Sequence, residues 1–168
     1  MATYDVTGPG GVNRPGRYNP GVRTPYLVEN TIDVSAINGD SGTASGDVLQ
    51  CIDVPAETLV MAAGVEVLTA CSSSVVIDIG TTGSSAGFLD PDAFVDAYDA
   101  TSASYAPRDA TADADSVMLT CKVADTIDAL MAGAASAAGK IRVWAVLCDI
   151  AGVDGTDRQS DAQHDTGS

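Results

Sequence analysis

The stretch Lys140–Ile150 (KIRVWAVLCDI) decides the fold class, because its residues alternate between two faces. One face carries Ile141, Val143, Ala145 and Leu147. The other face carries Arg142, Trp144, Val146 and Cys148. A period of two with β-branched residues is typical of a β-strand. Both faces are largely apolar, so we expect the strand to be covered on two sides, by the core and by a neighbouring subunit.

Shorter apolar runs with turn residues between them precede this stretch at a spacing of roughly 8–12 residues, which is typical of an all-β sandwich or barrel. The predicted strands are Tyr26–Val34, Val48–Val54, Thr58–Met61, Gly64–Cys71, Ser74–Ile79 and Ser116–Val123.

Two segments depart from the period of two. Asp90-Pro91 resembles a helix cap with proline at the first helical position, and Phe94 and Tyr98 follow four residues apart. We therefore predict a short helix or helical turn there, and at most one short helix in the chain. Asp125–Gly139 has apolar residues at helical spacing, but its later Ala, Ser and Gly content weakens a helix, so we predict a strand through Met131 and then a loop.

The composition fits one soluble domain and excludes several classes of partner. The 168 residues carry 8 Lys and Arg against 23 acids, of which 20 are Asp, for a net charge of −15. Such acidity excludes nucleic acid and anionic membranes as partners. No basic, apolar leader and no apolar run of about 18 residues is present, so we expect neither secretion by that route nor a membrane span.

Charge divides the chain into three parts. Residues 1–25 contain four prolines, five glycines and Arg14, Arg17 and Arg23 against one acid, so they carry +2. They are predicted to form an extended arm without a sheet or helix of its own, whose arginines bind a partner. A terminus with incidental arginines is the alternative. Residues 26–150 form the predicted sandwich, and residues 151–168 a polar, acidic tail.

One motif points to an enzyme. Residues 83–87 (GSSAG) match the G-x-S-x-G elbow, in which Ser85 would be the nucleophile. A serine needs a base within reach, and the one histidine of the chain, His164, lies in the predicted tail. We therefore predict no catalytic residue and no enzyme activity.

Metal, cofactor and nucleotide sites have weak support. Cys51, Cys71, Cys121 and Cys148 have no CxxC spacing and are predicted to be reduced, buried small hydrophobes. The aspartates of 90–99 and 109–115 lack the pattern of an EF-hand, so a solvated acidic rim is preferred to a loop calcium site. The glycines at 8–11 lack the ending of a phosphate loop. No cofactor and no metal is predicted.

Five local patterns resemble a kind of small structural protein of tailed bacteriophages, over about half of the chain. They are Pro55–Val60 (PAETLV), Ala63–Thr69 (AGVEVLT), Asp78–Gly80 (DIG), Asp90–Asp96 (DPDAFVD) and Gly139–Trp144 (GKIRVW). The resemblance implies an antiparallel β-sandwich, often jelly-roll-like, that assembles with copies of itself on a virion. No catalytic residue belongs to the pattern.

The resemblance implies a non-enzymatic protein that decorates or cements a capsid. Its partners would then be capsid or other virion proteins, and it would be located at the capsid surface after assembly in the host cytoplasm. A near-continuous apolar strand and a mean hydropathy of +0.13 favour a homo-oligomer, predicted as a homotrimer. The alternative is a head or tail fibre or spike module that binds a glycan or receptor, for which Arg142 and Trp144 could form a platform.

Overall fold

The computed structural model describes residues 3–5, 24–39, 41–72, 74–81, 90–106 and 118–150. These residues form ten strands and one 3-10 turn at Val34–Ala36. The strands are β1 (Thr3–Asp5), β2 (Tyr26–Asp33), β3 (Asp47–Val54), β4 (Thr58–Thr69), β5 (Val76–Thr81), β6 (Asp90–Asp99), β7 (Ser104–Ala106), β8 (Leu119–Cys121), β9 (Asp125–Ala132) and β10 (Lys140–Asp149).

The strands make two sheets that pack face to face. Sheet A has the order β1-β3-β9-β5-β6, and sheet B has the order β2-β10-β4-β7, with β8 also paired to β4. From β2 to β5 successive strands alternate between the sheets, and β9 and β10 do the same. The two four-strand orders, without β1 and β8, are those of a jelly roll. The predicted all-β, jelly-roll-like sandwich is therefore confirmed.

The core lies between the sheets and is mostly aliphatic. The largest fully buried side chains are Phe94, Leu49, Ile77, Ile79, Ile127, Met131, Ile141 and Leu147. Each such side chain contributes about 1.5–3 kcal/mol by leaving water. The four cysteines are buried and free, as predicted.

Asn30 closes one corner of the sandwich, where the edge strand of sheet B meets β3 of sheet A. Its Nδ2 donates a hydrogen bond of 2.9 Å to the carbonyl oxygen of Cys51. The ladder between β3 and β9 shifts register between Gln50 and Ile52, so Cys51 lies in an irregularity. The bond therefore gives a partner to a carbonyl at a place where the regular ladder is interrupted.

The predicted helix at Asp90–Ala100 is wrong, because Asp90–Asp99 forms strand β6 at the edge of sheet A. The pairing of β6 with β5 shifts register twice, and Ala97 has a φ of +48°. These irregularities destroy the period of two, so that Phe94 and Val95 are both fully buried although they are neighbours. The free edge of β5 supplies backbone partners that outweigh the local helix-cap signal.

Other boundaries also differ from the predictions. Thr58–Met61 and Gly64–Cys71 were predicted as separate strands, but they belong to the single strand β4, which has a bulge opposite Val146 and Leu147. Residues 3–5 of the predicted arm form β1, which is paired to β3. Prolines and glycines begin only at Gly8, so nothing in Thr3–Asp5 opposes a strand. The strand predicted from Asp125 through Met131 is confirmed as β9.

Candidate interaction surface

The outward side of sheet B carries a cluster of apolar side chains, here called the apolar face. It consists of Leu27, Leu59, Met61, Trp144 and Val146. These residues alternate with core residues of the same strands, as Trp144 does with Val143 and Ala145, and therefore point away from the core. Apolar side chains at outward positions of one sheet are a feature of surfaces that bind a partner.

Strand register brings these residues together across three strands. Val146 lies opposite Leu27 on β2 and opposite Ala62 on β4. Trp144 lies opposite Gly64, which has no side chain and so leaves room beside the indole. Cross-strand neighbours of this kind have Cβ atoms about 4.5–5.5 Å apart, which makes the face continuous.

The large hydrophobic side chains that are exposed to water lie on or next to the strands of sheet B. Among the described residues, the large hydrophobic side chains that are exposed are Leu27 at 60%, Met118 at 53% and Val123 at 45%. Leu27 belongs to the apolar face, and Met118 and Val123 flank β8, which pairs with β4 of the same sheet. The apolar surface left open to water is thus concentrated on sheet B.

Two ion pairs border the apolar face. The Arg142 Nη1 atom lies 3.4 Å from Glu66 Oε2, and the Lys140 Nζ atom lies 3.9 Å from Asp33 Oδ2. All four side chains are partly exposed, so each pair adds at most about 1 kcal/mol to stability. Each pair cancels its own charge, so Glu29, which lies opposite Trp144, is the acid of this border that belongs to neither pair.

The outward side of sheet A has the opposite character and is here called the acidic face: Asp53, Asp78 and Asp96. The pKa of Asp78 is raised, mainly because its carboxyl is partly buried. The Ala97 N–H donates a hydrogen bond of 2.7 Å to Asp78 Oδ1, which lowers the pKa, and the nearby charge of Asp96 raises it. The described strands of sheet A contain ten aspartates and no lysine or arginine. This face therefore repels a second copy of itself.

The buried thiols and the buried carboxyl of Asp125 show no arrangement for chemistry. Burial, and then the charge of Asp125, raises the pKa of the Cys121 thiol to about 11, and burial and the charge of Asp128 raise that of Cys51. Burial also raises the pKa of Asp125. A thiol with a raised pKa stays protonated and is a poor nucleophile and metal ligand.

The described part of the chain holds neither a metal cluster nor a membrane helix. Within it, no three His, Cys, Asp or Glu side chains lie close enough together to hold a metal ion. Its one helical element is the 3-10 turn, and no described helix is long and apolar enough to cross a bilayer.

Several predicted site residues lie outside the described residues. These are Arg14, Arg17 and Arg23 of the arm, Ser85 of the elbow motif and His164 of the tail. Arg142 and Trp144 lie on the outward side of sheet B, where the alternation in Lys140–Ile150 placed them together.

Two contributors were missed by the sequence reasoning. The sequence predicts a strand that contains Leu27 and Asn30 but marks neither residue as functional. The alternation in Tyr26–Asp33 was a signal for Leu27, since it separates Leu27, Glu29 and Thr31 from Val28, Asn30 and Ile32. No local signal could show that Asn30 reaches β3.

Comparison by sequence gives no relative: no protein-family model matches the chain, and no curated protein matches it. Comparison by structure gives matches at low identity. A chain of the cyanophage Pam1 capsid asymmetric unit aligns with a TM-score of 0.53 and 16% identity, over 85% of this chain and 97% of that one. A chain of the capsid of Ralstonia phage GP4 aligns with a TM-score of 0.57 and 13% identity, over 79% of this chain and 89% of that one. The sandwich fold of this chain is thus also the fold of chains in two phage capsid structures.

Proposed function

We propose that this protein is a non-enzymatic structural protein of a bacteriophage virion, which decorates or cements the capsid. The observation that carries the proposal is the shared fold, which extends over 79–85% of this chain in two phage capsid structures. The five local patterns that resemble small phage structural proteins support it independently. In this proposal the protein assembles in the host cytoplasm and takes its place at the capsid surface.

Self-association through the apolar face is the first part of the proposed mechanism, and its partner is a second copy of this chain. Copies with a net charge of −15 repel one another wherever acidic surfaces meet. The side chains of the apolar face are uncharged, and two ion pairs and the single carboxylate of Glu29 border it, so two copies meet here at a lower electrostatic cost than through the acidic face. Burial of Leu27, Trp144 and Val146 then supplies the favourable free energy. A closed trimer is the assembly we propose.

Attachment through residues 1–25 is the second part. Arg14, Arg17 and Arg23 give this arm a charge of +2, against −17 for residues 26–168. Guanidinium groups pair with carboxylates in a forked geometry, so an acidic patch of a capsid protein is the chemistry that the arm fits. Each exposed pair adds about 0.2–1 kcal/mol, and its effect weakens as salt rises.

The attachment test uses undecorated particles and three proteins. The intact protein is compared with a variant that starts at Pro25 and with a full-length variant in which Arg14, Arg17 and Arg23 are all replaced by Gln. The glutamine variant retains β1, so it separates the arginine charges from the strand. We expect both variants to bind more weakly than the intact protein at low salt, and all three to converge at high salt.

Equal binding by all three proteins at both salt concentrations would remove the arm from the mechanism. Absence of binding by the intact protein at low salt would overturn the proposed decorating function itself. The one histidine of the chain, His164, is far from Ser85 in the sequence, which gives a further expectation: the purified protein has no esterase activity. An esterase activity that disappears on Ser85→Ala would contradict the non-enzymatic proposal.

A further inference from the structure

Asn38 and Gly39 form the exposed tip of a turn whose base is fixed. The turn follows the 3-10 turn at Val34–Ala36. At its base Ile37 and Gly42 are buried, and the Ile37 carbonyl oxygen accepts a hydrogen bond of 3.0 Å from the Gly42 N–H. At its tip both Asn38 and Gly39 are exposed. The Asn-Gly pair therefore lies in water, while the chain on either side of it is held to the sandwich.

The two residues share a left-handed backbone and open surroundings. Asn38 has a φ of +54° and Gly39 a φ of +64°, a region that asparagine and glycine tolerate better than other residues. A Cβ atom placed on Gly39 would meet no atom within 4 Å. Among the described residues, none accepts a hydrogen bond from the Gly39 N–H, and none is bonded to the Asn38 carboxamide. Neither group is thus tied to a described partner.

An amide N–H directly after an asparagine can react with its side chain. Rotation about the Asn38 backbone brings the Gly39 nitrogen to Asn38 Cγ, because residue 39 has no side chain to obstruct the approach. This nitrogen loses its proton and forms a bond to Cγ, the bond from Cγ to Nδ2 breaks, and Nδ2 leaves with a proton as ammonia. One water molecule then opens the succinimide ring at either of its carbonyl carbons. The product is aspartate or isoaspartate, in which the main chain runs through Cγ, and no oxidant or reductant is consumed.

The other three asparagines of the chain lack this combination. Asn30 lies in strand β2, where it is half-buried and its Nδ2 donates a hydrogen bond of 2.9 Å to the Cys51 carbonyl oxygen. Asn13 and Asn19 lie outside the described residues, and neither is followed by glycine. A proline follows Asn19, and proline has no N–H with which to attack. Sequence and exposure together therefore single out Asn38.

We propose that Asn38 is a site of spontaneous modification, at which the folded chain loses ammonia, takes up water and is converted to aspartate and isoaspartate. The neutral carboxamide is replaced by a carboxylate, so each event takes the net charge one unit below −15. The tip contains no residue of the apolar face or of the acidic face. The proposal is therefore independent of the proposed function and of the way in which copies associate.

Mass spectrometry of the aged, folded protein tests the proposal. Cleavage after glutamate releases residues 30–57 as one peptide, which contains Asn38 together with Asn30 as its internal control. Samples are taken at intervals during incubation at neutral pH, and the sample at zero time measures modification during digestion. We expect the gain of one mass unit to appear at least about tenfold faster at Asn38 than at Asn30, whose amide is bonded within a strand. An isoaspartyl methyltransferase with a labelled methyl donor detects the isoaspartate.

A variant and an unfolded sample make the outcome specific. Asn38→Gly keeps a residue that accepts a positive φ and removes the carboxamide, so the isoaspartyl signal of this peptide should disappear. An isoaspartyl signal that persists in Asn38→Gly would place the reaction elsewhere and overturn the assignment. Equal rates at Asn38 and Asn30 in the folded protein would also overturn it. An Asn38 that stays intact in the folded protein but reacts in urea would show that the turn protects it, which contradicts the proposal.

Discussion

The two outward faces of this sandwich differ more than its two inward faces do. Both sheets line the same aliphatic core, but their outer sides have opposite chemistry. The described strands of sheet A carry ten aspartates, three of them buried, and no basic residue, whereas those of sheet B carry four acids, two bases and the apolar face. A uniformly solvated protein has no need for such a division. The difference fits the proposed interface, in which sheet A meets water and sheet B meets a second copy.

The division also fits the self-association that we propose for so acidic a chain. Like charges keep the sheet A sides of two copies apart, while the sheet B sides carry little net charge and apolar area to bury. This repulsion restricts the ways in which two copies can meet. The acidic face therefore helps to determine how the copies are oriented relative to each other.

The largest effect is expected from a charge placed in the apolar face. Val146→Lys puts an ammonium group at the centre of the proposed interface, where an unpaired buried charge costs about 3 kcal/mol or more. We expect self-association to weaken at least about 100-fold, as measured by sedimentation velocity over a range of protein concentrations. The matched control is Val76→Lys, since Val76 is a half-buried, outward valine of sheet A. Association that falls equally in both variants would erase the distinction between the faces.

The next effect is expected at the corner where the two sheets meet. Asn30→Ala removes the donor to the Cys51 carbonyl and should lower the free energy of unfolding by about 1–2 kcal/mol. The measurement is urea denaturation of each protein. Thr31→Ala, on the neighbouring outward position, serves as the control and should change stability by less than about 0.5 kcal/mol. Equal stability of the Asn30 variant and the unchanged protein would show that the corner bond contributes nothing.

The smallest effects are expected from single carboxylates, and they should have opposite signs on the two faces. The raised pKa of Asp78 means that its charged form is less favourable in the folded state. Asp78→Asn keeps an oxygen for the Ala97 N–H and should raise stability at about pH 7. Because the protonated aspartate is neutral too, this gain should shrink as pH falls through the folded pKa toward about 4.

Glu66→Gln makes the corresponding change on sheet B. It removes the partner of Arg142 and should lower stability by at most about 1 kcal/mol at about pH 7. Thermal unfolding of both variants between about pH 4 and 7 measures the two effects. A loss of stability in Asp78→Asn at neutral pH would contradict the assignment of an unfavourable charge to the acidic face.

Sequence alone predicted the strands whose burial is regular. β2, β5 and β10 keep inward and outward residues in alternation, so their period of two survives in the sequence. β9 was predicted although its apolar residues lie at helical spacing, because the Ala, Ser and Gly residues that follow weaken a helix. β6 was missed because two register shifts put neighbouring residues into the core together, and such shifts are set by the partner strand. β4 was predicted in two pieces because its bulge interrupts the pattern at Met61 and Ala62.

The candidate surface was predictable only in part, for the same reason. The apolar outer side of β10 could be recognised from Trp144 and Val146, because alternation within one strand reveals it. That Leu27 lies beside Val146 depends on the register of two strands separated by more than a hundred residues, which no local pattern encodes. The bond from Asn30 to Cys51 depends likewise on how the two sheets stack.

The salt dependence of self-association tests the central claim most directly. If copies meet through the apolar face against the repulsion of bodies with a charge of −15, screening that repulsion should strengthen assembly. Sedimentation equilibrium of the intact protein at about 50 and 500 mM NaCl measures this, over which range the Debye length falls from roughly 14 to 4 Å. The account predicts an oligomer at micromolar concentration whose dissociation constant falls as salt rises. A monomer at both salt concentrations, or an oligomer that dissociates as salt rises, would contradict it.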